Sequence, residues 1–307
     1  MPRLFIIANP TSCSGKALKI WPVLEYELKH RNWEYSFRWT SYPGHSRKLI
    51  DDAISNDPDI IVAMGGDGTV HEVIDEYYKK SPDRNIPITA LPLGTGNDWA
   101  RYWHIPHDVL AWLEMIESFK LYDHDLGLVE YYNLKDQKEY AVFNNVAGMS
   151  YDAFVANYVE TKKKKSKVNG LIYLYYIFRC LFMYRLQESK INSEQHILED
   201  AFYTINVGLC PYSGGGLQIV PHARPNIGKL AVTAVKPLSK LGVLLFSKEF
   251  YSGKIHLHPK AISFHTEFLT VSPGKNETIL LEAEGEVLGR LPASFSIIRK
   301  AIKICAP

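Results

Sequence analysis

The sequence predicts an α/β domain built on a parallel sheet, followed by a mostly β domain of sandwich type. Three observations predict it. Over residues 1–126, short apolar runs alternate with stretches of helical spacing. Two of those runs end in glycine-rich turns, at Gly65-Gly66-Asp67-Gly68 and at Gly94-Thr95-Gly96. Over residues 127–294, short strand-like runs follow one another, punctuated by Gly, Pro, Asn and Ser. Alternating strands and helices give a parallel sheet covered on both faces, whereas serial short strands give packed antiparallel sheets.

Taken in order, residues 4–8 read as a buried strand ended by Asn9-Pro10. Residues 17–29 carry Leu18, Trp21, Leu24, Tyr26 and Leu28 at helical spacing. Residues 33–39 alternate and read as a strand, and 47–54 as a short helix. Residues 59–64 form a second buried run that stops at Gly65-Gly66; a helix over 69–78 and a short strand over 87–91 follow. In the second part, 140–147, 201–209, 229–235, 261–269 and 278–283 read as strands. One helical insertion, 169–184, interrupts them.

Composition narrows the function classes. A chain of 307 residues suits two domains, and 46% hydrophobic residues with 22% charged permits a well-buried core. Lys and Arg number 35 against 33 Asp and Glu, so a nucleic-acid binder's basic surface is not supported. Four cysteines stand far apart with no Cys-x-x-Cys pair, which argues against a disulfide framework or thiolate metal site and fits a reducing cytosol. The first residues hold too short an apolar run for a signal peptide. The longest apolar stretch, 168–184, contains Asn169 and Arg179 and falls short of the ~20 residues that span a bilayer.

The first glycine turn, Gly65-Gly66-Asp67-Gly68-Thr69, lies between a buried strand and a helix. Glycines let a ligand reach the backbone there, and the following helix start presents N–H groups and a positive dipole end to an anion. An aspartate inside the turn would repel bare phosphate; it suits Mg²⁺ or an acceptor proton. The second turn, Pro92-Leu93-Gly94-Thr95-Gly96-Asn97-Asp98, also follows a strand and precedes a helix near Trp99. Two such turns at neighbouring strand ends face one crevice in an open α/β sheet. The chain has neither Gly-x-x-x-x-Gly-Lys-[Ser/Thr] nor Gly-x-Gly-x-x-Gly, which excludes a P-loop enzyme and disfavours a dinucleotide dehydrogenase.

With these motifs in this order, the sequence resembles the diacylglycerol-kinase-like lipid kinases, the family of bacterial diacylglycerol kinases and of sphingosine and ceramide kinases. Asn9-Pro10-Thr11-Ser12 matches its opening Asn-Pro-x-Ser, and Thr40 with Gly44-His45 its Thr…Gly-His. Gly65 through Thr69 with Glu72-Val73 matches Gly-Gly-Asp-Gly-Thr-x-x-Glu-Val; Leu93 through Arg101 matches the Gly-Thr-Gly-Asn-Asp-x-Ala-Arg block; Asp125-Leu126-Gly127 matches Asp-x-Gly. In the second domain Gly148 to Ala153, Gly214-Gly215-Gly216 and Pro221-His222-Ala223 match its Gly-x-x-Ala, Gly-Gly and Pro-x-Ala.

The resemblance implies a nucleotide domain over 1–126, a lipid-substrate β domain over 127–294, and a segment 295–307 returning to the first domain. It implies ATP and Mg²⁺ in the cleft between domains. The nucleotide site would comprise Asn9, Pro10, Thr11, Ser12, Cys13, Thr40, Gly65, Gly66, Asp67, Gly68, Thr69, Val70, His71, Gly94, Thr95, Gly96 and Asn97. Asp98 and Asp125 would meet the metal through Mg-ATP.

Phosphoryl transfer is mainly positioning and charge stabilisation, so carboxylates are needed near the phosphates and near the acceptor hydroxyl. Asp67, Asp98 and Asp125 are the candidates in the first domain. The family places Asp-Gly-Glu on a strand end in the second; here Glu284-Gly285-Glu286 stands in its place. Glu286 keeps the residue type of the implied base. Glu284 replaces the usual Asp, and its extra methylene shifts the carboxylate by about an ångström, a displacement that can cost on the order of 10²-fold in rate. Cys13 stands where the family has Gly, and Ile227 where many relatives have a metal-binding Asp.

Lys162 to Lys165 and Lys167 precede the apolar stretch 168–184. Lysines beside an apolar aromatic helix suit a transient, peripheral contact with anionic lipid, and equally a solvated loop. The expectation is therefore a cytoplasmic ATP-dependent lipid kinase, with diacylglycerol the leading acceptor and phosphatidic acid its product. A small-molecule kinase of the NAD kinase type and an inactive lipid-binding regulator are the alternatives, and a homodimer is compatible with either.

Overall fold

The computed structural model describes residues 2–163 and 170–307. Positions 164–169, which hold part of the lysine run and the start of the apolar stretch, lie outside the described residues. The chain divides into two compact units, Met1–Asp125 with Arg299–Pro307, and Leu126–Ile298. The returning segment thus starts at Arg299 rather than at 295. Ala293 to Ser296 still pair with Phe268 to Val271 in the second unit, and this ladder holds them there.

In the first unit, β1 (Leu4–Ala8), β2 (Tyr35–Trp39), β3 (Ile60–Gly65) and β4 (Ile88–Pro92) form a parallel sheet in the order β2-β1-β3-β4. Near the chain's end, Ile304 pairs in parallel with Ile88. Strands β1, β3 and β4 are buried throughout, as a sheet covered on both faces requires. The helices are α1 (Lys16–His30), α2 (His45–Asn56), α3 (Asp67–Lys80), α4 (Asp98–Tyr102) and α5 (Val109–Ser118). Helix α3 starts two residues before the expected 69, so the glycine turn runs directly into its first turn. Register does the positioning: Ala8 lies opposite Met64 and Gly65 opposite Pro92, so the carboxyl ends of β1, β3 and β4 finish level.

Side chains fix the remaining pieces to this sheet. Asp108 caps α5 by accepting from the Leu110 and Ala111 N–H groups at 3.0 and 3.1 Å. The buried Trp112 indole donates to the Ala90 carbonyl at 2.7 Å. Thr89 donates to the Cys305 carbonyl at 2.8 Å, and the Lys300 N–H to Asp125 Oδ1 at 2.7 Å, which ties down the returning segment.

Strand β5 (Leu121–Tyr132) runs from the first unit into the second, which continues with β6 (Lys138–Phe143), β7 (Val146–Ser150), α6 (Tyr151–Lys163), α7 (Gly170–Met183), β8 (Ser189–Ser193), β9 (Ile197–Asp200) and β10 (Thr204–Gly208). After a small hairpin of β11 (Tyr212–Ser213) and β12 (Leu217–Gln218) come β13 (Leu230–Val235), α8 (Lys240–Ser252), β14 (Ala261–Thr266), β15 (Phe268–Pro273), β16 (Leu280–Ala283) and β17 (Glu286–Cys305). Antiparallel strands run β14-β13-β10-β7-β16-β17 on one side and β9-β8-β15-β17 on the other. Their apolar faces meet in one core, with Met149, Ile205, Val232 and Leu281 from the first set and Ile191, Leu269 and Val271 from the second. This is the layered arrangement of a sandwich.

Two strand readings break in the structure. The run 140–147 divides at Asn144-Asn145, and 261–269 at Glu267. Helices α6 and α8 had not been read from the sequence. Strand β7 passes directly into α6 through Ser150 at φ 67°, with no glycine or proline to mark the change. For α8 a signal did exist: Ser239 precedes an apolar run and caps the helix, accepting from Gly242 N–H at 3.0 Å. With α7, these helices cover the other face of the β7–β10–β13 layer through Tyr151, Val155, Val159, Leu181 and Val235. Among the described residues no helix is long and apolar enough to cross a membrane.

Candidate active site

In the first unit, three loops leave the level ends of β1, β3 and β4 and lock together. Asn9 folds its own loop, accepting from Thr11 N–H and Oγ1 at 3.0 and 2.8 Å. Ser12 Oγ accepts from the Gly66 N–H at 3.2 Å, joining the first loop to the second. Cys13 Sγ lies 3.9 Å from Thr95 Oγ1, which brings in the third. A Cβ added to Gly94 would stand 2.8 Å from Gly66 Cα, and one on Gly66 would stand 3.3 Å from Gly94 Cα. The two turns therefore touch backbone to backbone, and at Gly94 only glycine permits that approach. The result is a shallow cradle at the amino end of α3, where the helix dipole favours an anion. Asn9, Pro10, Thr11, Ser12, Cys13, Gly66, Gly68, Gly94, Thr95 and Gly96 all reach its surface.

The others serve it from beneath. Gly65 leaves room for Thr69, whose Oγ1 would lie 2.5 Å from an added Cβ. Thr40 extends β2 by donating its N–H to the Ala8 carbonyl at 2.8 Å. Asn97, at φ 49°, closes the third loop by donating Nδ2–H to the Gly94 carbonyl at 2.8 Å. Val70 and His71 do not reach the cradle's surface: both side chains are buried on α3, which packs one face.

Asp67 and Asp98 are brought together. Asp67 Oδ1 accepts from the Trp99 N–H at 3.4 Å, so the carboxylate of one turn caps the helix that follows the other. Burial, reinforced by the neighbouring Asp98 carboxylate, pushes Asp67 up to about 6. Asp98 itself is buried and ion-pairs with Arg101 at 3.8 Å. A residue that the sequence reading missed holds this arrangement. His124 is fully buried, accepts from the Trp99 indole at 3.0 Å and engages the Asp125 carbonyl through Nδ1. Burial pulls His124 down to about 4, so it stays neutral and acts as a fixed acceptor anchoring α4.

Among the described residues no three His, Cys, Asp or Glu side chains converge as a metal site. Asp125 Oδ1 accepts from the Lys300 N–H at 2.7 Å.

In the second unit the acidic hairpin has a defined turn. Glu284 and Gly285 both take positive φ, 56° and 80°, between β16 and β17, as a two-residue hairpin turn requires. Glu284 reaches back to accept from the Asn144 and Asn145 N–H groups at 3.0 and 2.7 Å, so it organises backbone. Glu286 is exposed beside the turn. Glu282 is the acid the sequence did not single out. Its neighbours Leu281 and Ala283 face the sandwich core, so the strand's period of two turns Glu282 toward the helices. There it is buried and accepts from Gly285 N–H at 2.8 Å.

Beside Glu282 lies Asp152 at the start of α6, and both line an apolar cavity. Val155, Ile177, Leu181, Ile219, Val243 and Phe250 supply much of its wall, with Ser213, Gly214 and Gly285 at its polar side.

Comparisons with known proteins agree with this geometry. Residues 3–129 match the diacylglycerol kinase catalytic domain, and 145–306 the YegS C-terminal NAD kinase beta sandwich-like domain. A diacylglycerol kinase of Staphylococcus haemolyticus is 26% identical, over 98% of this chain and 87% of its own length. One of Staphylococcus aureus is 27% identical, over 99% of this chain and 92% of its own. In fold, a diacylglycerol kinase structure from Bacillus anthracis superposes with a TM-score of 0.73 at 17% identity, covering 99% of this chain and 97% of that one. Yeast NADH kinase complexed with NADH gives 0.57 at 13%, covering 100% and 84%.

Proposed function

Since this chain belongs to the diacylglycerol-kinase-like family and is a kinase, we propose that it transfers the γ-phosphoryl group of ATP to a hydroxyl of a membrane lipid. The observation that carries the lipid is the apolar cavity of the second unit, whose polar side meets the acidic hairpin. A site for a water-soluble acceptor such as a dinucleotide would line itself with polar groups; this one is walled by aliphatic and aromatic side chains.

The cradle at the amino end of α3 binds the triphosphate through backbone and hydroxyl groups. The carboxylates Asp67 and Asp98 fit magnesium, which takes one or two carboxylates and completes its shell with water and phosphate oxygens. When bound, the ion neutralises charge on the phosphate oxygens. The acceptor oxygen bonds to the γ-phosphorus as the bond to the β–γ bridging oxygen breaks, releasing ADP. Glu286 takes the hydroxyl proton, and Glu284 holds the turn in place by its two backbone contacts. The names of the relatives make diacylglycerol the first acceptor to test, with phosphatidic acid as product.

The cavity is rimmed by exposed apolar groups. Phe178 and Tyr251 both line it and reach solvent, and Phe182, Leu241 and Leu245 extend the surface at 62%, 66% and 69% exposure. Lys240 lies over the Phe182 ring at 5.3 Å. An apolar patch with a basic edge suits a bilayer with anionic lipid. Replacing Leu241 and Leu245 together by Glu is expected to weaken vesicle binding about tenfold or more, given the area and charge involved. Activity on detergent-dispersed lipid should survive. Unchanged sedimentation with vesicles would remove this patch from the membrane contact.

The function itself is tested by incubating the protein with ATP, Mg²⁺ and a panel of hydroxyl lipids beside NADH. ADP and a phosphorylated lipid should appear together. Phosphorylation of NADH with no lipid product would replace this reading with a dinucleotide kinase.

A further inference from the structure

Among the described residues the cavity wall carries no Lys, Arg or His, yet its polar end gathers oxygen atoms. Gly148 lies in register between Glu282 on β16 and Asn206 on β10. Having no side chain, it leaves a notch: an added Cβ would stand 2.4 Å from Glu282 Oε1, 3.0 Å from Asp152 Cβ and 3.1 Å from Asn206 Oδ1. Glu282, Asp152 and Asn206 thus come from three elements, β16, α6 and β10, to one small space.

The donors beside this space are committed. Thr204 gives its hydroxyl proton to Asp152, and Asn206 Nδ2 donates to Thr204 Oγ1 at 3.1 Å. Glu282 Oε2 takes the Gly285 N–H at 2.8 Å, which leaves Oε1 on the notch. Asn206 is 1% exposed, and its Oδ1 has no hydrogen-bond partner among the described residues. A buried acceptor without a donor and a buried carboxylate without a cation are each costly. A proton shared between the two acids would still leave Asn206 Oδ1 facing oxygen. One metal ion can meet all three groups.

We propose that this notch in the second unit is a Ca²⁺ site, held by Glu282 Oε1, the Asp152 carboxylate and Asn206 Oδ1. The ligands are all oxygen, which selects a hard cation over zinc or copper. Two carboxylates match a divalent charge. Ca²⁺ accepts an amide oxygen and an irregular shell, and takes its remaining ligands from water on the cavity side. Mg²⁺ demands a near-octahedral shell at shorter distances. The ion ties α6, β10 and β16 together. Through Glu282, which accepts from Gly285 N–H, it also braces the turn that leads into Glu286. The proposal goes beyond the lipid-kinase reading and does not depend on it, since the three groups call for the same ion whatever the acceptor.

The test is calorimetric titration of the nucleotide-free protein with calcium chloride, with thermal melting alongside. Binding should show a Kd in the range of about 10⁻⁵ to 10⁻³ M. At roughly 100 times Kd the melting temperature should rise by about 5 °C or more. Glu282→Gln and Asp152→Asn keep shape and remove one charge each, and each should weaken binding about tenfold or more. Without Ca²⁺ each variant should melt at or above the parent, because a buried like-charge neighbour is gone; with Ca²⁺ the parent should melt higher. Asp67→Asn, which alters the cradle in the first unit, should keep the binding. Melting identifies a variant that fails to fold, and the other then carries the test. No binding and no melting shift with Ca²⁺ overturns the proposal. So does binding that every folded variant of Glu282 and Asp152 retains, or binding that only Asp67→Asn removes.

Discussion

Gly66→Val is expected to abolish ATP binding in a protein that still folds. Gly66 has φ −97° and ψ −173°, extended backbone that a β-branched residue adopts readily. The substitution therefore carries no intrinsic backbone strain. Its Cβ would stand 3.3 Å from Gly94 Cα, a contact the exposed Gly94–Gly96 loop can relieve by a few tenths of an ångström. The two branched methyls have no such outlet and project over the cradle where the phosphates would lie. Calorimetric titration with ATP should give no heat of binding, while the melting transition persists. Parent-like ATP affinity in the folded variant would place the nucleotide elsewhere.

Asp67→Asn should reduce kcat by about 10²-fold or more, whether the carboxylate handles metal or proton. It also predicts a pH profile. Asp67 is pushed up to about 6 by burial and by Asp98. An acid with a raised value is protonated below it, so the carboxylate needed for catalysis disappears as pH falls through about 6. The parent's kcat/KM, which reports the free enzyme, should fall about tenfold per pH unit on the acid side. The residual activity of Asp67→Asn should be flat across that window. Near-normal turnover by the variant, or an acid limb that it retains, would move the chemistry away from Asp67.

The cradle was largely legible in the sequence because its requirements are local. Gly65-Gly66-Asp67-Gly68 and Gly94-Thr95-Gly96 must be glycine-rich to let two turns approach, and buried strands mark where each begins. That Val70 and His71 do not reach its surface was not legible, because adjacency along the chain does not say which face of α3 a side chain takes. His124 was missed for a similar reason. Its neutral, fully buried state depends on Trp99, and no local pattern announces that pairing.

By itself, the sequence determined the two-part architecture, the family and the position of the acidic hairpin, since glycine conformational freedom and apolar periodicity are properties of short segments. Tertiary structure alone decided the division of labour among the acids. Glu282, Glu284 and Glu286 look equivalent in a row. Strand alternation buries the first under α6, the turn's positive φ sends the second back to the Asn144 and Asn145 backbone, and the third is left exposed. Asp152 joins Glu282 only because β7 and β16 pair with Gly148 opposite Glu282, and a glycine there leaves the space that both carboxylates use. Burial and charge at that point arise from the pairing of distant segments, and this long-range pairing is what sets the chemistry of the cavity.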